Sequence, residues 1–262
     1  AWGKVPWAGA GRKGGGLDIT TAMLHKRCIS SPPDLAERSP VGFFIVYFFQ
    51  ETKLPSESPS LRAMAFFDVQ NIFQHAKEDF GHYHPNFNPV KLHDAVCRAN
   101  GWRVASVRFY TGVPTYERSP MWQGYWSARI LALKRAGVHV TTRPLRHHTQ
   151  RIEYPDGSVS ETVTPQEKGI DIRLALDLVS LARKRHFDVA VIYSQDQDLA
   201  EVVEEIREIA TEQNRRISVV SAFPFGPRSS STRGINRTDW FRMDEAFYNA
   251  CLDPKDYRPA RS

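Results

Sequence analysis

The ten residues Val189-Ala190-Val191-Ile192-Tyr193-Ser194-Gln195-Asp196-Gln197-Asp198 carry most of the information about the fold. The first five are apolar without alternation, which is typical of a central parallel strand buried on both faces. The last five bring two carboxylates to the point where this strand gives way to a helix. Because ligands bind beyond the carboxyl ends of strands in open parallel sheets, the stretch predicts a binding site as well as a strand.

Strands and helices alternate on both sides of this stretch, from Met64 onward. Short apolar runs predict further strands at 65–67, 104–110, 137–142 and 217–221. Helices are expected at about 89–99, 119–136, 168–186 and 198–213. Elements of these lengths in this order predict a three-layer α/β/α, Rossmann-like domain with a mostly parallel central sheet. We assign residues 64–252 to this domain and 253–262 to a C-terminal tail.

Residues 1–63 have a different composition from the rest of the chain. They contain three consecutive glycines at 14–16 and Pro- and Ser-rich runs at 30–33 and 55–60, which interrupt helices and strands alike. We therefore expect a largely disordered N-terminal extension, with Met64 as a candidate for the natural start of the protein. The apolar stretch Val41–Phe49 is far shorter than the roughly 20 residues that span a bilayer, so no membrane segment is expected.

Charge and composition restrict the class of protein. The net charge of +6 is a mild bias toward a polyanionic partner, and half of it lies in residues 1–63. With 41% apolar and 24% charged residues, the chain is neither collagen-like nor disordered throughout. Its three cysteines, Cys28, Cys97 and Cys251, lack the spacing of a zinc site or a disulfide framework. A reducing, cytoplasmic location is expected.

Aspartates near predicted strand ends are the candidate functional residues. Asp68 follows the first strand, and Asp196 and Asp198 follow Tyr193 and Ser194. Taken singly, each of them is better explained as a turn residue or helix N-cap, but the pair Asp196 and Asp198 is harder to explain in this way. In helical projection Asp171 falls in the middle of an apolar face, so we expect it to be buried and either capped, metal-bound or paired with Lys168 or an arginine. Asp177 lies at the boundary of that face and suits an ordinary ion pair.

Several carboxylates brought together repel one another unless a cation neutralises them. Oxygen ligands without Cys or His favour a hard ion, Mg²⁺ or Mn²⁺, and Mg²⁺ binds alongside substrate phosphates. Such a site points to phosphate-ester chemistry, because a bound metal activates water and stabilises charge on the scissile phosphate.

Three short motifs in this order resemble the NYN domain, and more closely its LabA-like branch, within the PIN-like nuclease superfamily. They are Asp68-Val69-Gln70-Asn71, Lys168-Gly169-Ile170-Asp171 and Ser194-Gln195-Asp196-Gln197-Asp198, and the resemblance covers about Met64 to Ser221. It implies a PIN-like fold and a ribonuclease that hydrolyses RNA phosphodiester bonds with Mg²⁺ or Mn²⁺. The alternative is a catalytically weak or inactive NYN-fold protein that binds RNA or regulates. A phosphatase or receiver domain fits less well, because the Asp68 segment lacks Asp-x-Asp.

The resemblance also implies roles for individual residues. One acidic cluster would bind the metal and carry the catalysis, formed by Asp68, Asp171, Asp196 and Asp198. Asn71 would orient Asp68 or a metal-bound water, and Lys168 would contact a substrate phosphate, unless it is simply a solvated first-turn lysine. Gln195 stands where many relatives have glycine, and its larger side chain would narrow the approach to Asp196.

Two basic segments flank the predicted site. Residues 143–166 predict an inserted β-ribbon that turns at Pro155-Asp156-Gly157, and a basic loop lies within 223–242. Phosphate contacts supply most non-specific nucleic-acid affinity, so RNA-binding candidates are Arg143, Arg146, Arg151, Arg228 and Arg233. His147 and His148 are minor metal-ligand candidates, because histidine pairs in exposed loops usually have no special role.

Trp122, Tyr125 and Trp126 recur at helical spacing. This spacing predicts either a stripe packed in the core or a face for a homo-oligomer or protein partner, in preference to a base-stacking platform.

Overall fold

The computed structural model describes residues 60–117, 119–153, 159–166 and 169–259. Most of the expected N-terminal extension, residues 1–59, lies outside the described part. The described elements, in chain order, are β1 (Arg62–Asp68), α1 (Val69–Phe80), α2 (Pro89–Asn100), β2 (Arg103–Val113), α3 (Pro120–Arg135), β3 (His139–Pro144), β4 (Arg146–Glu153), β5 (Val159–Gln166), α4 (Ile170–Arg183), β6 (Val189–Tyr193), a 3-10 turn (Gln197–Leu199), α5 (Ala200–Glu212), β7 (Ser218–Pro224), β8 (Asp239–Met243) and α6 (Glu245–Asn249).

Six strands form one parallel sheet in the order β3-β2-β1-β6-β7-β8. The chain adds strands outward from β1 in one direction and then from β6 in the other, so the order reverses between these two strands. The apolar run Val189–Tyr193 is β6, and each of its residues is buried, as the sequence predicts. A crevice for ligands is expected where the strand order reverses, beyond the carboxyl ends of β1 and β6.

Helices cover both faces of the sheet and complete three layers. Along β1, Ala63, Ala65 and Phe67 face one core, which they share with residues of α1, α2 and α3. Met64 and Phe66 face the other core, which contains residues of α4 and α5. The three-layer α/β/α fold with a parallel sheet is therefore confirmed.

Two regular elements lie where the sequence predicts none. α1 follows β1 without a loop, because the side chain of Asp68 accepts a hydrogen bond from the backbone N–H of Asn71 and caps the helix. β8 is an edge strand with mainly exposed residues, so it lacks the apolar run that identifies central strands.

β1 begins two residues before Met64, at Arg62. The backbone N–H and the Nε–H of Arg62 donate to Oδ2 of Asp188 at 3.0 and 2.9 Å, which ties the start of β1 to the loop before β6. Ala63 is fully buried and pairs with Val189. The strand therefore includes residues that the sequence assigns to the N-terminal extension.

β4 and β5 form a separate antiparallel ribbon, with pairs from Arg146↔Gln166 to Glu153↔Val159. The sequence predicts a β-ribbon in this segment, and the predicted turn at 155–157 lies outside the described residues. Within the described part of the chain, no helix is both long and apolar enough to cross a membrane.

The aromatic residues of α3 belong to the core. Tyr125 is 1% exposed and Trp126 is 8% exposed, and together with Phe87 and Phe109 they surround the buried guanidinium of Arg129 at 5.4–5.8 Å from each ring centroid. The Nη2–H of Arg129 donates to the carbonyl oxygen of Phe87 at 2.7 Å. The expected partner face at Trp122, Tyr125 and Trp126 is therefore wrong for the two buried aromatics, because the helix turns them toward its own domain.

Candidate active site

Asp68 lies at the carboxyl end of β1, where the strand order reverses. Its Oδ1 accepts a hydrogen bond from the backbone N–H of Asn71 at 3.2 Å, and its Oδ2 accepts one from the hydroxyl of Ser194 at 3.1 Å. Because β1 pairs with β6, the residue that follows β6 comes directly beside the residue that ends β1. The sheet thus joins the first and third sequence motifs.

Ser194 connects the carboxylates of these two motifs. Its hydroxyl donates to Asp68 and also accepts the backbone N–H of Asp196 at 3.1 Å. The side chain is completely buried, and the Ser194 carbonyl oxygen accepts from Ser221 Oγ at 2.7 Å. The sequence prediction assigns Ser194 no role, although a small hydroxyl residue between a buried strand and two acids is the pattern that could have indicated one.

Asn71 links the same two motifs from the other side. Its backbone N–H donates to Oδ1 of the helix-capping Asp68, and its side-chain Oδ1 accepts the backbone N–H of Gln195 at 2.9 Å. The backbone of Asn71 therefore helps to hold Asp68 in place. Its side-chain oxygen is engaged in holding the third motif in place.

Burial raises the pKa of Asp68 to about 6. The hydrogen bonds from Asn71 and Ser194 lower this pKa, whereas the negative charges of Asp196 and Asp171 raise it further. The fold therefore brings Asp68, Asp171 and Asp196 close enough for their charges to interact, and a cation at this edge of the sheet would relieve the repulsion.

Asp171 is exposed in the first turn of α4, which corrects the expectation that it is buried. The buried stripe of α4 includes Ile170, Leu174 and Leu178, and Asp171 shares its angular range. A helical projection reports the direction of a side chain but not its position along the axis. The start of the helix leaves Asp171 in solvent.

Asp177 forms the expected ion pairs, and it is the buried carboxylate of α4. It accepts from Arg173 at 2.8 Å and from Arg108 at 3.3 Å, and the hydroxyl of Tyr110 donates to it at 2.8 Å. These partners account for its burial without a metal ion.

Asp196 and Asp198 occupy the turn after β6. Asp196 is partly exposed, and its Oδ1 caps the 3-10 turn by accepting the backbone N–H of Asp198 at 3.0 Å. The side chain of Asp198 is itself exposed. Asp196 thus has the capping role expected of a single aspartate at this position, and its negative charge also raises the pKa of Asp68.

The donor set fits a hard divalent cation that keeps part of its water. Among the described residues, no group of three or more His, Cys, Asp or Glu side chains is arranged to hold a metal ion. The four aspartates therefore do not form a ready-made cage. Mg²⁺ does not require one, because it is commonly bound by one or two carboxylates together with waters and substrate phosphates. Asp68 and Asp196 supply such carboxylates.

The basic loop between β7 and β8 is fastened to the acidic turn by two glutamine side chains. Gln195 is 6% exposed, and its Nε2–H groups donate to the carbonyl oxygens of Arg233 at 2.8 Å and Ser231 at 3.3 Å. The side chain of Gln197 donates to Gly234 and accepts the backbone N–H of Asn236. Gln195 is thus buried against the loop and anchors it beside the acidic residues.

The structure describes some of the candidate RNA-binding side chains and not others. Arg228 and Arg233 are exposed on the loop, where Arg228 donates to the Asp79 carbonyl oxygen at 2.9 and 3.2 Å. Arg143 is exposed at the carboxyl end of β3. Lys168 lies outside the described residues, as do the side chains of the β4 residues Arg146, His147, His148 and Arg151.

Sequence and structure comparisons relate the chain to known proteins. A search of curated proteins found no match. A solved structure of a protein of unknown function from Vibrio parahaemolyticus is 19% identical, and the match covers 71% of this chain and 94% of that one with a TM-score of 0.41. The model of the NYN domain matches residues 62–242, well over half of the chain. The chain therefore belongs to the NYN domain family.

Proposed function

We propose that this NYN domain protein is a metal-dependent ribonuclease that hydrolyses RNA phosphodiester bonds at the acidic edge of its sheet. The NYN domain belongs to the PIN-like nucleases, and RNA as substrate, Mg²⁺ or Mn²⁺ as cofactor and the LabA-like branch are part of the proposal. A cytoplasmic location is likewise proposed, from the cysteine content. The proposal rests above all on the Asp68–Ser194–Asp196 arrangement.

This arrangement keeps one carboxylate in an unfavourable environment. The side chain of Asp68 is partly buried beside two other acids, although a neutral residue would be more stable there. Such placement is typical of functional sites, where stability is given up for chemistry. Asp79 is also a buried carboxylate, on α1. It is not included in the proposed site because it lies outside the three motifs.

The residues of this chain would share the work as follows. A bound Mg²⁺ or Mn²⁺ supplies charge stabilisation and an activated water. Asp68 and Asp196 would hold the ion, and Asp171 would add negative charge or a water-mediated contact from α4. Ser194 and Asn71 fix the first carboxylate in one orientation. A pKa of about 6 also allows Asp68 to accept a proton at neutral pH while no metal is bound.

Two basic segments would hold the RNA backbone across the acidic edge. The loop that carries Arg228 and Arg233 is anchored by Gln195, and Arg143 lies at the end of β3. Lys168, Arg146 and Arg151 are proposed to contribute further phosphate contacts from the α4 motif and the ribbon. Since contacts to phosphates carry no information about the bases, these arginines would position RNA of any sequence.

The proposal is tested by a cleavage assay with purified protein and labelled single-stranded and hairpin RNA, in Mg²⁺, in Mn²⁺ and in EDTA. Asp68→Asn and Asp196→Asn are compared with Glu208→Gln, which makes a similar change at an exposed position of α5. We expect cleavage only with metal, a loss of about 100-fold or more in the two aspartate variants, and no change in the control.

RNA binding is measured in the same samples, so that the two functional classes separate. Cleavage lost with binding retained supports the enzyme. Wild-type protein that binds RNA but leaves it intact with either metal would instead establish the non-catalytic RNA-binding alternative, as would equal activity in all variants.

A further inference from the structure

The edge of the sheet opposite the acidic site is lined with arginines. β2 begins at Arg103 and β1 at Arg62, and the turns that lead into β6, β7 and β8 contain Arg185, Arg215 and Arg237. These strands are neighbours, in the order β2-β1-β6-β7-β8. Since adjacent strands lie about 4.8 Å apart, the arginines extend over about 19 Å.

The charge of this edge is only partly neutralised. Arg62 and Arg215 share the carboxylate of Asp188, at 2.9 and 3.6 Å. The Nη2–H of Arg62 also donates to the carbonyl oxygen of Arg185 at 2.9 Å, which holds the backbone of Arg185 beside Arg62. Burial lowers the pKa of Arg215; the negative charge of Asp188 raises this pKa, and the positive charges of Arg185 and Arg62 lower it. Two guanidinium groups therefore share one carboxylate, and the positive charge of Arg185 acts on one of them.

A groove of about 350 Å³ continues this edge toward β8. Its lining includes Arg207, Arg216 and Arg237, with the carboxylate of Asp239 as the acidic member. Arg237 and Arg207 are both paired with Glu204, at 2.5 and 3.3 Å, so two of the guanidinium groups are held in place before any ligand binds. Such preorganisation lowers the entropic cost of binding.

We propose that these arginines bind the sugar-phosphate backbone of an RNA segment distant from the bond that is cleaved. The inference takes its ligand class from the proposed function. We call the set the arginine row, and it consists of Arg103, Arg62, Arg185, Arg215, Arg216 and Arg237. A line of cations over about 19 Å suits a linear polyanion better than a single phosphate. Guanidinium groups recognise phosphate oxygens through paired hydrogen bonds.

The arginine row and the acidic site lie at opposite ends of the same strands. An RNA long enough to reach both would be held at two places, and the second contact would be intramolecular. A short RNA would reach only one of them. The arginine row should therefore affect the binding of long RNA without affecting the cleavage of short RNA.

The test uses Arg185→Glu combined with Arg216→Glu. Both side chains are exposed, and among the described residues neither takes part in a side-chain hydrogen bond that holds the fold. Lys77→Glu combined with Lys91→Glu is the matched control, with the same change in charge at exposed positions of α1 and α2. Binding of fluorescein-labelled RNA of about 30 and about 4 nucleotides is measured by anisotropy over a range of salt, in EDTA.

We expect the arginine variant to bind the long RNA at least about 10-fold more weakly than wild type, and the lysine variant to bind as wild type. The slope of log K against log salt should fall by about 1.4, since each phosphate contact contributes about 0.7 for a single strand. Cleavage of the short RNA with Mg²⁺ should be unchanged.

If the two double variants weaken the binding of long RNA equally, the inference is overturned, because the change in net charge alone then explains the loss of affinity. Unchanged long-RNA binding in the arginine variant would also overturn it, and the ribonuclease proposal would stand if Asp68→Asn still abolished cleavage. Conversely, if the arginine variant weakens RNA binding but no protein cleaves RNA, the arginine-row inference is supported and the ribonuclease proposal is refuted.

Discussion

Replacing Asp68 by asparagine should make the folded protein more stable while it abolishes the proposed activity. The pKa of Asp68 in the folded protein is raised from its ordinary value of 3.8 to about 6. Ionisation of this carboxyl therefore costs the folded state free energy. The cost is absent below about pH 4, grows as the pH rises, and is complete above about pH 6. Asparagine does not ionise, so the variant avoids it.

The size of the stabilisation follows from the difference between the pKa of Asp68 in the folded protein and its ordinary value. Two pKa units correspond to about 3 kcal/mol of free energy of unfolding at pH 7, and to about 0.5 kcal/mol near pH 4, where the unfolded chain is only half ionised. Asparagine retains the capping of α1, because it is as good an N-cap as aspartate. The stabilisation at pH 7 should therefore approach the full ionisation cost.

Urea unfolding of both proteins near pH 4 and near pH 7, in metal-free buffer, measures this difference. Asp198→Asn is the control, because it removes an exposed carboxylate from the same turn and should change stability by no more than about 0.5 kcal/mol. Added Mn²⁺ should stabilise wild type more than the Asp68 variant. The same advantage for Asp68→Asn at both pH values, or no advantage at either, would refute the argument that the buried charge is unfavourable.

Three further changes test the surroundings of the site. Gly234→Ala should lower the free energy of unfolding in urea by about 1–3 kcal/mol, because a Cβ there would lie 2.7 Å from side-chain atoms. Gly124→Ala in α3 is the control, because its Cβ has room and the change should raise the free energy of unfolding by about 0.5–1 kcal/mol. Ser194→Ala removes a hydrogen bond that lowers the pKa of the neighbouring carboxyl, so the acidic limb of the cleavage profile should move to higher pH. A chain that starts at Met64 lacks Arg62 and should be less stable than a chain that starts two residues earlier, by about 1.5–3 kcal/mol for the lost charged hydrogen bonds; equal stabilities would show that the strand needs neither residue.

Local patterns were sufficient for the fold class. The bounds of β6 coincide with those of its apolar run, because every residue of a strand buried on both faces is apolar and the run therefore ends where the strand ends. The ribbon was also predictable, because alternation and turn residues are local signals. β8 and α1 were not, because an edge strand has little apolar content and α1 begins without a loop.

The candidate site divides in a similar way. The motifs identified Asp68, Asn71 and Asp196, and their placement after strands followed from the alternation of elements. Asp171 shows the limit of such reasoning, because angular position on a helix does not reveal which residues of the first turn the core covers. The connecting role of Ser194 depends on the pairing of β1 with β6, which are separated by more than a hundred residues.

The sequence by itself determined the layered α/β architecture, the acidic motifs and the family, because each of these is written in short runs of residues. Only the tertiary structure decided how the charges are arranged. The parallel sheet sends every strand in the same direction, so residues that end strands collect at one edge and residues that begin them at the other. A modest net charge thereby becomes an acidic edge and an arginine-rich edge on the same domain.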